Sequence, residues 1–252
     1  MKDIALFTLV LSLFVPAIPI LAQDYMVPEN TPAHVRRAVE LGSRDESQRA
    51  RDAGRKPAEV MILAGLSEGD YVAEISTFGQ YYTPMLIEAV GPNGMVAMYD
   101  LPLLAGFSEG AVGEAGQAFA DAHPNAQYAI VDYNTMEFPA GLDAIYNVLS
   151  YHDFGNFGVD QAAFNAKVFD ALAPGGKYVV IDHLAEDGSG WRDAGTLHRI
   201  GKEAIVEDVT AAGFTVLVES DVLENAEDDR TAVVFQVRGQ TSRAVLVFQK
   251  PM

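Results

Sequence analysis

Apolar runs of strand length alternate with amphipathic stretches along most of this chain. Tyr71-Val72-Ala73-Glu74-Ile75 predicts a first strand, Met95 to Tyr99 a second, Gln127 to Val131 a third and Leu142 to Leu149 a fourth. Lys177 to Ile181, Phe214 to Val218 and Ala244 to Gln249 complete seven, the last preceded by the Val233 to Val237 stretch. Helical patterns fill the intervals: Tyr81 to Val90, closed by Gly91-Pro92; a stretch around Glu109 to Ala122; and Lys202 to Ala212, closed by Gly213. Asp160 is placed to N-cap another helix, whose Phe164, Val168, Ala171 and Leu172 share one face. This alternation predicts an α/β domain with a doubly wound, mostly parallel seven-stranded sheet covered on both faces. Ligands of such sheets bind beyond the carboxyl ends of the strands, near the point where strand order reverses. Residues just after each strand are therefore the ones to inspect.

The pattern is different upstream. Ile4 to Ala22 is almost wholly apolar, interrupted by Pro16 and Pro19 and followed by Gln23-Asp24. It reads as a secretory signal peptide over residues 1–22, which implies an exported, periplasmic or secreted protein; an uncleaved anchor is the alternative. No other segment is apolar enough to span a bilayer, so no membrane insertion is expected after cleavage. Residues 23–56 form a charged extension with Arg36, Arg37, Arg44, Arg49, Arg51, Arg55 and Lys56. Thr31 to Ala53 is expected to be largely helical, either as a solvated lead-in or as a flap over a pocket. Pro57 suits the first turn of a helix ending at Gly65, and opens the α/β domain at 57–252.

Charge and cysteine content narrow the function. The formal net charge is −18, which argues against nucleic acid or an anionic membrane as partner and says nothing about the reaction; a small-molecule substrate is the expectation that goes with the sheet order and its strand-end acids. Cysteine is absent, so disulfides, thiolate nucleophiles and Cys-based metal sites are excluded.

Two constellations follow the strands. Glu74, Ser76 and Gly79 belong to or follow the first strand, Asp100 ends the second, and Asp132-Tyr133 follow the third. A carboxylate at the end of a second strand offers two oxygens to the two hydroxyls of a ribose, and an acid after the third suits an adenine amino group. Farther on, His152-Asp153 follow the fourth strand, Asp182-His183 end the fifth, and His198 lies just beyond. Grouped imidazoles and carboxylates suit general acid–base catalysis, or binding of zinc or iron. Loop histidines bonded to backbone are the plain alternative. Tyr81, Tyr82, Tyr133 and Tyr151 are either core or lining of the same cleft, and Trp191, in a Gly-rich loop, is a pocket candidate.

Val72 to Thr83, Gly91-Pro92-Asn93-Gly94, Asp100 and Leu172-Ala173-Pro174-Gly175-Gly176 resemble class I S-adenosylmethionine-dependent methyltransferases. Asp182-His183, Thr196-Leu197-His198-Arg199-Ile200, Glu219-Ser220-Asp221 and Asp228-Asp229-Arg230-Thr231 resemble a bacterial group of exported, methyltransferase-like proteins. The resemblance implies a Rossmann-like domain and S-adenosylmethionine as cofactor near Glu74, Ser76, Gly79, Asp100, Asp132 and Tyr133; the strand-end residues themselves offer His152, Asp153, His183 and His198 for catalysis, with a divalent metal as an open addition. One departure is plain: Ser76, Thr77 and Phe78 stand where the family's first-strand loop carries glycines. A protein with this fold that uses the His/Asp site without the cofactor, or only binds a ligand, is equally compatible with the residues.

Overall fold

The computed structural model describes residues 25–78 and 80–252; the leader expected at residues 1–22 and the candidate Gly79 lie outside the described residues. Seven strands form one sheet: β1 (Tyr71–Ile75), β2 (Met95–Asp100), β3 (Ala126–Ile130), β4 (Leu142–Val148), β5 (Leu172–His183), β6 (Thr215–Ser220) and β7 (Arg243–Gln249). Their order is β3-β2-β1-β4-β5-β7-β6. All neighbours are parallel except β7, which runs antiparallel between β5 and β6. The doubly wound sheet expected from the sequence is therefore present, with its switch point between β1 and β4.

Alternation along β1 explains how the sheet sits between two layers. Ala73 and Ile75 join the core on one face with Tyr133, Phe154, Phe164 and Tyr178, whereas Val72 joins the other with Val60, Met85, Leu86 and Val179. Helix Pro57–Ala64 starts on its proline and stops at Gly65, which has φ 64° as a left-handed cap requires. Asp160 caps helix Gln161–Ala171 by accepting from the Ala163 N–H.

Three expectations need correction. Thr31 to Ala53 is not one helix but Ala33–Val39 followed by the short turns Glu46–Arg49 and Asp52–Arg55. Nor is it merely solvated, because Val35, Ala38 and Val39 belong to the core. The Val233 to Val237 stretch that precedes β7 forms turns, with the Val234 N–H bonded to the Leu197 carbonyl, away from the sheet. Strand β5 also begins earlier than expected, because Leu172 already pairs with Leu142 before the Pro174-Gly175-Gly176 turn.

Candidate functional site

The carboxyl ends of β4 and β5 carry a continuous chain of ionisable groups. Asp182, fully buried in the last turn of β5, accepts the His152 backbone N–H at 2.8 Å and His183 N–H at 2.7 Å. It also lies 2.6 Å from His152 Nδ1. His152 sits in the turn Tyr151–Asp153 that follows β4, so β4 supplies the ring and β5 its anchor. The other ring nitrogen, Nε2, is 3.2 Å from Asp153 Oδ2. The second oxygen of Asp153 is 2.8 Å from His198 Nδ1. The order is thus Asp182, His152, Asp153, His198, running from the interior outward.

The electrostatics follow from this order. Burial by itself disfavours a charged His152, but the carboxylates of Asp182 and Asp153 outweigh it and push the ring up to about 10. His152 is an imidazolium at neutral pH. Burial would raise Asp153, yet its bond to His152 holds it below the usual carboxylate range. His183 behaves oppositely: burial first, then the charges of His152 and Arg243, lower it well below the usual histidine value. Its Nδ1 is 2.9 Å from Thr241 Oγ1, and its ring is 5.9 Å from that of His152. His183 therefore stays neutral beside the chain and is not joined to it.

His198 is held by two features that the sequence does not advertise. It ends the helical turn Ala194–Leu197 in the left-handed region, with φ 56°, a conformation costing a side-chain-bearing residue about 1–2 kcal/mol. Next to it, the buried Arg199 makes a two-pronged pair with Asp228, at 2.8 and 3.0 Å, and donates to the carbonyls of Ala232 and Leu184. This clamp ties the loop before β7 to the segment after β5. It brings Phe235 over the His198 ring, 4.7 Å between centroids. Arg199 and Asp228 were visible as motif residues, but nothing in their spacing revealed a clamp.

The nucleoside-side candidates are arranged differently. Asp100 is buried at the end of β2, and both its oxygens are engaged: Oδ2 by Thr77 Oγ1 at 3.2 Å and Tyr128 OH at 3.0 Å, Oδ1 by the Phe78 N–H at 3.2 Å. Gly116 permits this, since a β-carbon there would lie 2.6 Å from the Tyr128 ring. Ser76 and Gln80 adopt left-handed backbone, φ 59° and 43°, so the loop keeps its sharp turns without glycine at these positions. Tyr133 OH bonds to Ser76 and to the Tyr99 carbonyl. Glu74 faces inward and accepts from Thr83 Oγ1 at 2.7 Å; burial pushes it up to about 8. Asp132 is exposed and closes its own turn with the Asn134 N–H.

The aromatic residues are structural. Tyr81, Tyr82, Tyr133 and Tyr151 are buried in the two cores rather than lining a cleft. Trp191, the pocket candidate, is anchored: its Nε1 donates to Asp208 at 3.0 Å and its ring packs 5.8 Å from Tyr151. His34 and His123 bond to the backbone carbonyls of Leu66 and Phe119. Among the described residues, His152, Asp153 and His198 bring potential ligand atoms within 4.8 Å of one another, but as arranged these atoms bond to each other and His152 is charged.

No protein-family model matches the chain, and no curated protein matches it in sequence. Solved structures do match. An S-adenosylmethionine-dependent methyltransferase from Aquifex aeolicus superposes with a TM-score of 0.58 at 17% identity, over 86% of this chain and 98% of that one. The [4+2]-cyclase SpnF gives 0.59 at 17% identity, over 84% of each chain. Geranyl diphosphate C-methyltransferase from Streptomyces coelicolor A3(2) gives 0.57 at 11% identity, over 85% of this chain and 87% of that one. At such identities the likeness concerns the fold, and fold alone does not select a reaction. Strand order, the antiparallel β7 and these superpositions agree that the chain has the fold of the class I S-adenosylmethionine-dependent methyltransferases.

Proposed function

We propose that this protein is a methyltransferase-class enzyme that acts on a small molecule, with His198 as the base that takes a proton from the substrate. The observation that carries the reading is the Asp182–His152–Asp153–His198 chain at the carboxyl ends of β4 and β5. Asp153 fixes the His198 ring through Nδ1, which leaves Nε2 as the free basic nitrogen, the arrangement in which a carboxylate orients a histidine base. His152, charged and bonded on both nitrogens, is no acceptor itself; it positions Asp153. Support for the class comes from the fold and from neighbours that act on small molecules such as geranyl diphosphate.

S-adenosylmethionine is the group this fold implies, and the residues as arranged do not fit its ribose. Two hydroxyls would need the oxygens of Asp100, and these already accept from Thr77, Phe78 and Tyr128. Phe78 also carries a side chain where the loop should let the cofactor approach closely. No step is therefore routed through the cofactor. This competition for Asp100 favours a second reading, in which the same dyad runs a proton-transfer reaction without a methyl donor. The cyclase neighbour is a case of other chemistry on this fold.

Export is part of the proposal and is supported by the Ile4 to Ala22 run; no helix among the described residues is long and apolar enough to cross a membrane. The test incubates purified protein with methyl-labelled S-adenosylmethionine and a low-molecular-mass metabolite extract. Labelled product with the native chain, lost in His198→Ala, supports methyl transfer. Unlabelled products that depend on His198 select the second reading, and turnover unaffected by His198→Ala removes both.

A further inference from the structure

The arginines of the N-terminal segment meet a fourth from β7, and the charges do not balance. The guanidiniums of Arg44, Arg51 and Arg55 lie 5.5, 5.0 and 4.4 Å from the centre of the Tyr81 ring. Asp52 is the one carboxylate bonded among them. Arg44 takes both its oxygens, at 2.6 and 2.9 Å, and Tyr81 OH shares one at 2.6 Å. Arg51 and Arg55 form no ion pair among the described residues. Arg243 enters from the start of β7, 6% exposed, and donates only to the carbonyls of Gly54 and Thr241, at 2.6 and 3.3 Å; its Nη1 has no partner among the described residues.

The neighbouring acids do not offset these cations. Asp228 is committed to Arg199, and burial keeps Glu74 protonated at neutral pH. Burial, then the charge of Arg55, lowers Arg243 to about 10, and the same two causes lower Arg51. Arg55 thus repels both Arg51 and Arg243, in a chain whose net charge is −18. Cation–π contact with Tyr81 offsets part of this repulsion for the arginines over its ring, but gives nothing to Arg243. Arg243 is buried without a counter-charge, which is costly, while Arg55 is half-buried and Arg51 exposed, so their unpaired guanidiniums are open to an anion from solvent.

We propose that Arg51, Arg55 and Arg243 bind the acidic group of the substrate, a carboxylate or a phosphate. Arginine presents a planar fork of donors that matches either group. The location suits a substrate. Arg243 is the direct partner of His183 across β5 and β7, so their side chains share a face of the sheet, and the His183 ring neighbours that of His152. An acid held on the arginines would therefore direct the rest of a small molecule along the strand ends toward the dyad. Assigning the anion to the substrate rests on reading His198 as the base; anion binding itself does not.

Calorimetry and thermal denaturation with inorganic phosphate, succinate and S-adenosylhomocysteine test this on the native chain, Arg55→Gln, Arg51→Gln and Arg37→Gln. Arg37, on an exposed pair with Glu68, is the control. Phosphate or succinate should raise the melting temperature of the native chain and of the control. Binding should weaken at least tenfold in Arg55→Gln and fall with added salt. His198→Ala should bind these anions unchanged, which separates this site from the base. Two results overturn the proposal: simple anions that do not bind, or that bind Arg55→Gln as well as the native chain. A third does too: S-adenosylhomocysteine binding through Arg55 while phosphate and succinate do not, since the arginines would then serve a nucleoside ligand's carboxylate.

Discussion

Oδ1 of Asp153 stands 2.8 Å from Nδ1 of His198, although the two residues are 45 positions apart and come from different strand ends. The distance is that of a charge-assisted hydrogen bond, and it makes His198 the outermost member of the buried chain. Replacing His198 by Gly should separate fold from function. Glycine tolerates the left-handed backbone that His198 occupies, so the variant is expected to melt no lower than the native chain. Turnover should fall by about 10²–10⁴, the usual contribution of a positioned base. Asp153→Asn should lose turnover as well, because the ring of His198 is then no longer held by a carboxylate.

The charge on His152 predicts a pH dependence of stability. Its pKa is raised from 6.5 to about 10 in the folded chain. The stabilisation is therefore fully present below about 6.5 and is lost as pH rises through 10. Denaturant titrations between pH 6 and 10.5 should show the native chain losing stability over this interval, with His152→Gln showing a flatter profile.

Glu74 predicts a second trend, at lower pH. Burial raises it from 4.5 to about 8, so its protonated form is favoured in the folded chain, where it accepts from Thr83. The fold binds this proton more tightly than the unfolded chain, and stability from this group declines as pH rises from 4.5 through 8. Glu74→Gln keeps an uncharged group of the same shape. Its melting temperature should exceed that of the native chain at pH 9 and match it at pH 5.

Asp100 provides a gain-of-binding test. Tyr128→Phe with Thr77→Ala removes the two hydroxyls bonded to Oδ2. If the strand-one loop is what closes the nucleoside site, the double variant should bind S-adenosylhomocysteine more tightly than the native chain by calorimetry. Equal or absent binding in both would place the obstruction elsewhere, at Phe78.

The Arg199–Asp228 clamp should act through position. Arg199→Met breaks a buried two-pronged pair, and removing one partner of such a pair typically costs about 3–5 kcal/mol. The milder Asp228→Asn keeps part of the bonding. It should show reduced turnover at a melting temperature closer to native, because Phe235 and His198 lose their fixed separation.

Much of the architecture was legible from local pattern. Pro57 and Gly65 bound their helix as expected, Asp160 capped its own, and the seven apolar runs became seven strands, because period and capping are properties of short segments. Strand-end histidines could likewise be picked out, since the topology of an alternating sheet says which residues gather at one edge. What local pattern missed depended on distant partners. The apolar Val233 to Val237 run is placed by its bond to Leu197, outside the sheet, and the polar segment before Pro57 looks solvated but carries Val35 and Ala38 into the core.

Chain order alone therefore dictated strand, helix and the edge where chemistry collects, for the reason that hydrophobic period and turn residues act over a few positions. Tertiary structure decided the rest. It chose His198 over His183 as the exposed end of the chain by joining one to Asp153 and the other to Thr241. It turned Asp100 from an open acceptor into one engaged by Thr77, Phe78 and Tyr128, and it tied Arg243 to the Gly54 carbonyl next to Arg55. Each of these depends on contacts between residues far apart in sequence, where burial and neighbouring charge, not residue type, settle what a group can do.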